Sequence, residues 1–384
     1  MRVLVDYRSA LKGRSGVGEY AHGLVGALLA ARGTVPGDRV DVTIFSSSWK
    51  DRLTVPPDLR GVGAIDLRIP VSGLNFAWHR LGWPPAELLA RTRFDVTHSL
   101  HPLLLPSRTA AQVVTIHDLN FLEHPERTRA EIRRDYPALA REHAHRADRI
   151  IAVSRFTAGE IEAKLGVPAE RISVCSIGAP DWKPRPAIPR DGYILFFGTL
   201  EPRKNVGTLL DAYERLIAGA GEAAVPDLVL AGQAIPEART WLDRLQRPPL
   251  AGRARHVGYV RPADRESLYR GARLLVQPSF DEGFGIPVLE AMTTGVPVVA
   301  ANRGALPEVL GDAGLLVAAH DAEGMAAAMR TLVTDEAASA ACVARGLARA
   351  RMFRWDDMAA RVIEAYRLAI ARRAERLNAT CASA

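Results

Sequence analysis

Cysteine is almost absent from this sequence, with three residues in 384 at Cys175, Cys342 and Cys381. So few, odd in number and widely spaced, they suggest neither a disulfide framework nor a zinc site. Two are read as packing residues and Cys381 as a tail thiol. Long apolar runs are also missing. None approaches the roughly 20 residues that span a bilayer, so the chain is not expected to cross a membrane. The N-terminus lacks the charged start, apolar stretch and small-residue cleavage site of a signal peptide. Met1-Arg2-Val3-Leu4-Val5-Asp6 enters a strand-like run directly, and a cytoplasmic protein is expected. Lysine is scarce, confined to Lys12, Lys50, Lys164, Lys183 and Lys204, so the positive charge is mostly arginine. There is no short-period repeat and no low-complexity tract.

What is present is the composition of a globular protein, 48% hydrophobic and 24% charged. The length favours two domains, each large enough to bury a core of its own. A net charge of +7 and a pI near 9.6 imply attraction to anions. Nucleic acid, acidic phospholipid headgroups and phosphorylated small molecules all qualify, and charge alone does not choose among them.

Short apolar runs alternate with helical patterns. In the first half they are residues 3–5, 40–45, 96–99, 113–116, 150–153 and 172–175, with a helix over about 18–31. In the second they are 193–197, 228–231, 256–257, 274–277, 298–300 and 315–317, with helices over 206–218 and 265–270. This alternation predicts an α/β protein of two Rossmann-like domains with parallel sheets. The prolines of 181–192 suit neither ladder nor helix, and they mark a linker between domains 1–180 and 193–354. Residues 355–384 read as an amphipathic surface helix joining the N-terminal domain, with Met358, Val362, Ile363, Tyr366, Leu368 and Ile370 on its apolar side.

The most informative segment is Pro278-Ser279-Phe280-Asp281-Glu282-Gly283-Phe284-Gly285-Ile286-Pro287-Val288-Leu289-Glu290-Ala291-Met292. It begins where a strand ends. Pro287 suits the first turn of a helix, and Gly283 and Gly285 let backbone approach a ligand. The N–H groups and dipole of such a helix start attract a phosphate. Glu282 and Glu290 flank it. A phosphate repels carboxylates, so their partners are expected to be hydroxyl groups of a sugar and a ribose. The simpler alternative has Glu282 capping the helix and Glu290 in solvent, and the combination of strand, glycines, proline and spaced glutamates disfavours it.

The run Glu282 to Glu290 resembles the E-x7-E motif of family 4 retaining glycosyltransferases, which have the GT-B architecture of two Rossmann-like domains facing across a cleft. The resemblance extends through Gly16-Val17-Gly18-Glu19-Tyr20, Thr115-Ile116-His117-Asp118, Ala152-Val153-Ser154, Gly198-Thr199-Leu200-Glu201-Pro202-Arg203-Lys204-Asn205 and Phe353-Arg354-Trp355. It implies that Glu282 contacts the transferred sugar and Glu290 the nucleotide ribose. Gly283, Phe284, Gly285 and Ile286 then belong to the donor site. It also implies that Lys204, with Arg203 beside it, neutralises the donor diphosphate, stabilising the charge that a departing nucleoside diphosphate gains. Many relatives carry Arg where this chain has Thr199, so Arg203 is expected to supply the second charge and Thr199 to remain a donor contact.

In the N-terminal half, Gly16 and Gly18 follow the first strand by a loop, where small residues let backbone reach the donor phosphates. They do not complete a G-x-G-x-x-G fingerprint, because Ala21 stands at the third position. His117 and Asp118 follow a strand at the carboxyl edge, where α/β folds place ligands. A lone His is more often structural; the resemblance implies that His117 faces the donor sugar and that Asp118, with Tyr20, serves sugar or acceptor hydroxyls. The nucleobase is expected near Gly232-Gln233 and Gly258-Tyr259-Val260.

No metal-binding Asp-x-Asp stands beside these motifs, and the family's front-face mechanism needs neither metal nor cofactor. The pattern around Thr115 and Gly198 resembles mannosyltransferases of polysaccharide assembly, so GDP-mannose is the first donor expected, with UDP-sugars open. The expected acceptor is a saccharide or lipid-linked saccharide. Residues 75–83 and the arginine-rich stretch 127–155 suggest peripheral association with an anionic membrane at its cytoplasmic face, against helix packing and a solvated face as the plainer reading. Two other classes compete. A nucleotide-sugar epimerase or hydrolase shares the architecture and would consume donor without acceptor. A basic nucleic-acid-binding protein needs a recognition helix or stacking module that is not evident.

Overall fold

A computed structural model describes all residues except 12–13, 15, 32–38, 124–135, 221–224 and 383–384. The arginines of 127–135 that suggested a membrane contact therefore lie outside the described residues, as does the side chain of Cys381. The chain forms two compact units, Met1–Gly178 with Arg354–Ala384, and Ala179–Phe353.

The first unit is built on a seven-stranded parallel sheet in the order β3-β2-β1-β4-β5-β6-β7. Its strands are β1 (Arg2–Asp6), β2 (Asp41–Ser47), β3 (Gly63–Leu67), β4 (Val96–Ser99), β5 (Ala111–Ile116), β6 (Arg149–Ala152) and β7 (Ile172–Val174). Helices cover both faces of such a sheet, so its inner strands read as unbroken apolar runs. All six residues of β5 are buried accordingly. β3 had no such signal. It is an edge strand, Gly-Ala-Ile-Asp-Leu, with no buried residue, and the sequence reading passes over it.

The C-terminal helix, Trp355–Ala382, packs into this unit. Met358, Val362, Ile363 and Tyr366 are buried as the amphipathic pattern predicts, and Ala359, Ala365 and Ala369 are buried with them. Leu368 departs from the pattern and is 40% exposed. The helix starts on Trp355, whose indole fills space at Gly23 and Gly178. A Cβ on Gly23 would stand 2.2 Å from Trp355 Cη2, so that helix contact requires glycine.

The second unit carries a six-stranded parallel sheet, β10-β9-β8-β11-β12-β13. Its strands are β8 (Tyr193–Phe197), β9 (Leu228–Ala231), β10 (Ala254–Gly258), β11 (Ala272–Gln277), β12 (Val298–Ala301) and β13 (Leu315–Val317). Its core gathers Phe196, Leu209, Tyr213, Leu230, Val276, Met325 and Cys342. Residues 181–192 are not a free linker, because Arg185 pins them here. Its backbone N–H donates to the Thr294 carbonyl at 3.1 Å, and its buried guanidinium to the carbonyls of Gly295, Arg270 and Ala272.

Strand order reverses between β1 and β4 in one sheet and between β8 and β11 in the other. Ligands of open α/β sheets bind beyond the carboxyl ends of the strands at such points.

Candidate functional site

In the second unit, the chain leaving β8 passes Gly198 and makes a 3-10 turn, Pro202–Lys204, closed by Asn205. Asn205 has φ 57°, a left-handed conformation that asparagine tolerates better than most residues. Its amide nitrogen donates to the carbonyls of Pro278 at 2.9 Å and Ala319 at 2.7 Å. The Phe280 N–H donates to the Arg203 carbonyl at 2.9 Å. The loops after β8 and β11 are thereby tied together, and the basic turn meets the first glutamate.

Lys204 Nζ donates to Glu282 Oε1 at 2.5 Å, with Lys204 8% and Glu282 6% exposed. Arg203 donates to the Asp281 carbonyl at 2.9 Å, to Glu201 at 2.9 Å, and lies 3.4 Å from Glu282 Oε2. Two neutral groups complete the shell, as Gln277 Nε2 and Ser279 Oγ each donate to Glu282 Oε1 at 2.8 Å. Burial pushes the Glu282 carboxyl up, but Lys204, Arg203 and these hydrogen bonds outweigh it and bring it down to about 2. Burial pulls the Lys204 ammonium below its usual value, with Arg203 adding to the effect and Glu282 opposing it. The geometry makes this an ionised pair.

Glu290 lies on the helix Ile286–Thr294, buried to 4% and paired with the buried guanidinium of Arg265. Arg265 also lies over the Phe197 ring, 5.2 Å from its centroid. The alternative of a capping Glu282 and a solvated Glu290 is therefore excluded. Both carboxylates were expected to face hydroxyl groups, and in the structure each is paired with an arginine or lysine. A buried carboxylate cannot stand uncompensated.

The helix of Glu290 is capped by Gly285 at φ 106°, without a side-chain cap. Its start therefore presents backbone alone, which suits an anion. Gly304, at φ 59°, lies against Glu282, where an added Cβ would come within 2.6 Å of the Glu282 carbonyl. The Ala305 N–H donates to that same carbonyl at 2.8 Å. Phe284 is 5% exposed and meets Phe353 edge to face, so its ring packs in the core. Gly283 is buried and Ile286 half-buried at the same turn.

The loops after β8, β9 and β10 converge at glycines. The Gly232 N–H donates to the Gly258 carbonyl at 2.8 Å, and a Cβ on Gly232 would lie 2.0 Å from the Gly198 oxygen. Thr199 is half-buried beside this contact, Tyr259 is 42% exposed and Val260 half-buried. No hydrogen bond among the described residues links these three to the glutamate cluster, although they share its edge of the sheet.

In the first unit, His117 follows β5. Its ring meets Tyr20 edge to face at 4.7 Å, and its Nε2 is buried without a hydrogen-bond partner. Burial lowers its pKa to about 4 although Asp118 opposes the shift, so the imidazole is neutral near pH 7. Asp118 is half-buried and accepts from the Asn120 N–H at 3.2 Å. Tyr20 is fully buried, its hydroxyl 3.2 Å from Thr115 Oγ1, so it braces this corner and offers no surface to a ligand. Thr115 continues to His98 Nε2 at 2.8 Å, and His98 Nδ1 to the Tyr366 hydroxyl at 2.8 Å. Gly16 and Gly18 occupy the first turn of the helix Gly16–Ala30, which begins two residues before the start expected at about 18, and Gly18 is buried.

Sequence reasoning missed Gln277, Ser279, Arg265 and Gly304. A polar residue directly after the apolar run 274–276, as Gln277 is, was the one usable signal. Among the described residues, no group of three or more His, Cys, Asp or Glu side chains is placed to hold a metal ion, and no helix is long and apolar enough to cross a membrane.

Two family models match the chain, "Glycosyltransferase Family 4" over residues 14–181 and "Glycosyl transferases group 1" over 191–335. O-antigen chain mannosyltransferase B of Escherichia coli is 36% identical over 276 residues, covering 69% of this chain and 72% of that protein. A serotype-specific mannosyltransferase, WbdA of Escherichia coli, is 31% identical over 298 residues, 73% of this chain but only 34% of its own longer length. Among solved structures, sucrose-phosphate synthase from Thermosynechococcus elongatus superposes with a TM-score of 0.77 at 21% identity, covering 97% of this chain and 99% of that one. WaaG, a glycosyltransferase involved in lipopolysaccharide biosynthesis, gives 0.71 at 16% identity over 95% and 99%. The two family models together match more than four fifths of the chain, one lying almost wholly in the first unit and the other within the second: the chain belongs to glycosyltransferase family 4 and has the GT-B fold.

Proposed function

We propose that this glycosyltransferase is a retaining, metal-independent mannosyltransferase, using GDP-mannose as donor and a saccharide or lipid-linked saccharide as acceptor. The relatives named as mannosyltransferases support the sugar. The observation that carries the chemistry is the cluster of Lys204, Arg203 and Glu282 beside an uncapped helix start.

In this reading the donor pyrophosphate draws Lys204 and Arg203 and takes the amides at Gly285. As the bond from the anomeric carbon to the phosphate oxygen breaks, negative charge grows on the leaving diphosphate, where these fixed groups stabilise it. The acceptor hydroxyl attacks on the face the leaving group departs from. Its proton passes to the leaving phosphate oxygen, so configuration is retained without a protein nucleophile. Glu282 accepts hydrogen bonds from the sugar hydroxyls, and Glu290 from the ribose. His117, neutral and with Nε2 unpartnered, is a ready acceptor for another sugar hydroxyl. Asp118 serves the acceptor.

The first unit is also proposed to touch an anionic membrane face in the cytoplasm. Phe76, Leu81 and Trp83 are 63%, 66% and 54% exposed in one short segment that includes Arg80, whereas Trp78 is buried and belongs to the core. Aromatic and cationic groups together favour an interface.

The test is turnover of GDP-mannose and UDP-glucose with a saccharide acceptor and EDTA present, followed by NMR of the product's anomeric proton. Transfer of α-mannose from GDP-mannose is expected. Inversion, dependence on added metal, or hydrolysis alone would refute the reading.

A further inference from the structure

Four donors surround the Glu282 carboxylate, and they are unevenly shared. Oε1 accepts from Lys204, Gln277 and Ser279, whereas Oε2 has Arg203 at 3.4 Å. A carboxylate oxygen offers about two lone-pair directions, so Oε1 is oversubscribed. Two of its three donors are neutral. Gln277 and Ser279 are fully buried, and Gln277 Nε2 also donates to Ser279 Oγ at 3.1 Å, leaving the serine proton for the glutamate. Gln277 thus reaches Glu282 both directly and through the Ser279 hydroxyl.

The orientation of Gln277 is itself informative. Its Oε1 is buried without a hydrogen-bond partner. Turning the amide over would satisfy nothing, since it would set a carbonyl oxygen against a carboxylate. The side chain directs both its N–H groups toward the glutamate and its serine while its own acceptor stays unpaired.

A donor pyrophosphate competes with Glu282 for Lys204 and Arg203. It has no comparable pull on a buried serine hydroxyl or amide. We propose that Ser279 and Gln277 are positioning residues that keep the Glu282 carboxylate in place for the sugar once Lys204 turns to the diphosphate, an inference that rests on the donor site described above. In this structure Lys204 fills the third position and neutralises the carboxylate. In the donor complex the two neutral donors remain, and Glu282 stays an acceptor in a fixed orientation.

The experiment compares wild type with Ser279→Ala and Gln277→Leu. GDP affinity is measured by calorimetry, and kcat and KM for GDP-mannose are measured from pH 5 to 8. Both variants are expected to bind GDP within about 2-fold of wild type and to lose about 10-fold or more in kcat with donor KM little changed, the signature of an interaction realised in the transition state. Ser279→Ala removes a single oxygen and carries the test if Gln277→Leu does not fold. Wild-type kcat in Ser279→Ala would overturn this inference alone. Loss of GDP binding together with thermal stability would also overturn it, by showing a merely structural role. Wild type that neither binds GDP nor turns over GDP-mannose would overturn the donor reading and this inference with it.

Discussion

In the first unit most of the strongly shifted titratable groups are neutral, whereas in the second the carboxylates of the site are ionised and paired. Burial lowers His79 and His98 to about 3 and His117 and His143 to about 4, so these imidazoles carry no charge near pH 7. The second unit instead buries Glu282 with Lys204 and Arg203, and Glu290 with Arg265. The contrast has an exception in the Asp6–Arg8 pair of the first unit, where burial pushes the Asp6 carboxyl up but Arg8 and His101 together hold it far below its usual range. Removing a charge from water is expensive and is tolerated only with a close counter-charge. The second unit therefore buries its charges in pairs, and the first buries imidazoles that carry none.

The largest expected effect comes from the charged cluster. Glu282→Gln keeps the shape but removes the anion, and Lys204→Ala removes the cation; each is expected to lower kcat/KM about 100- to 1,000-fold, the scale of losing one electrostatic contact in the transition state. Near-normal turnover by either variant would erase the distinction between the units. Next, Arg265→Met takes from Glu290 its buried cation and is expected to destabilise the second unit by about 3–5 kcal/mol, while Arg265→Met with Glu290→Met recovers most of the loss. Denaturant melts of the single and double variants measure it.

Acid sharpens the comparison further. The histidines have folded pKa values below the unfolded value of about 6.5. The unfolded first unit therefore takes up protons first, and its stability falls as pH drops from about 6.5 toward 4. Glu282 has a folded pKa of about 2 against 4.5. Its contribution is fully present above 4.5 and is lost only as pH falls through the folded value. Hydrogen exchange at pH 7 and 5 should show β4 and β5 amides losing protection while β8 and β11 keep theirs, and equal losses would contradict this. The smallest effect is at the surface. Leu81→Ser with Trp83→Ser should change stability by no more than about 0.5 kcal/mol, while reducing binding to vesicles containing anionic lipid.

Much of the fold was legible because buried parallel strands are written as apolar runs. Residues 96–99, 193–197, 228–231 and 315–317 are strands with the boundaries the sequence suggests. β3 was not legible, since an edge strand with no buried residue needs no such run. Within the site, Lys204, Glu282 and Glu290 could be read from their order along the chain. Arg265 could not, because its role arises only when its helix meets the helix of Glu290. Tyr20 and Phe284 show the converse: they belong to recognisable motifs, yet both side chains are buried in packing.

The most direct test is a crystal structure of the protein with bound GDP. The account predicts that Lys204 has left Glu282 for a phosphate oxygen, with the diphosphate against the Gly285 helix start and Glu282 still held by Ser279 and Gln277. A structure in which Lys204 keeps its contact with Glu282 while the diphosphate lies elsewhere would contradict it.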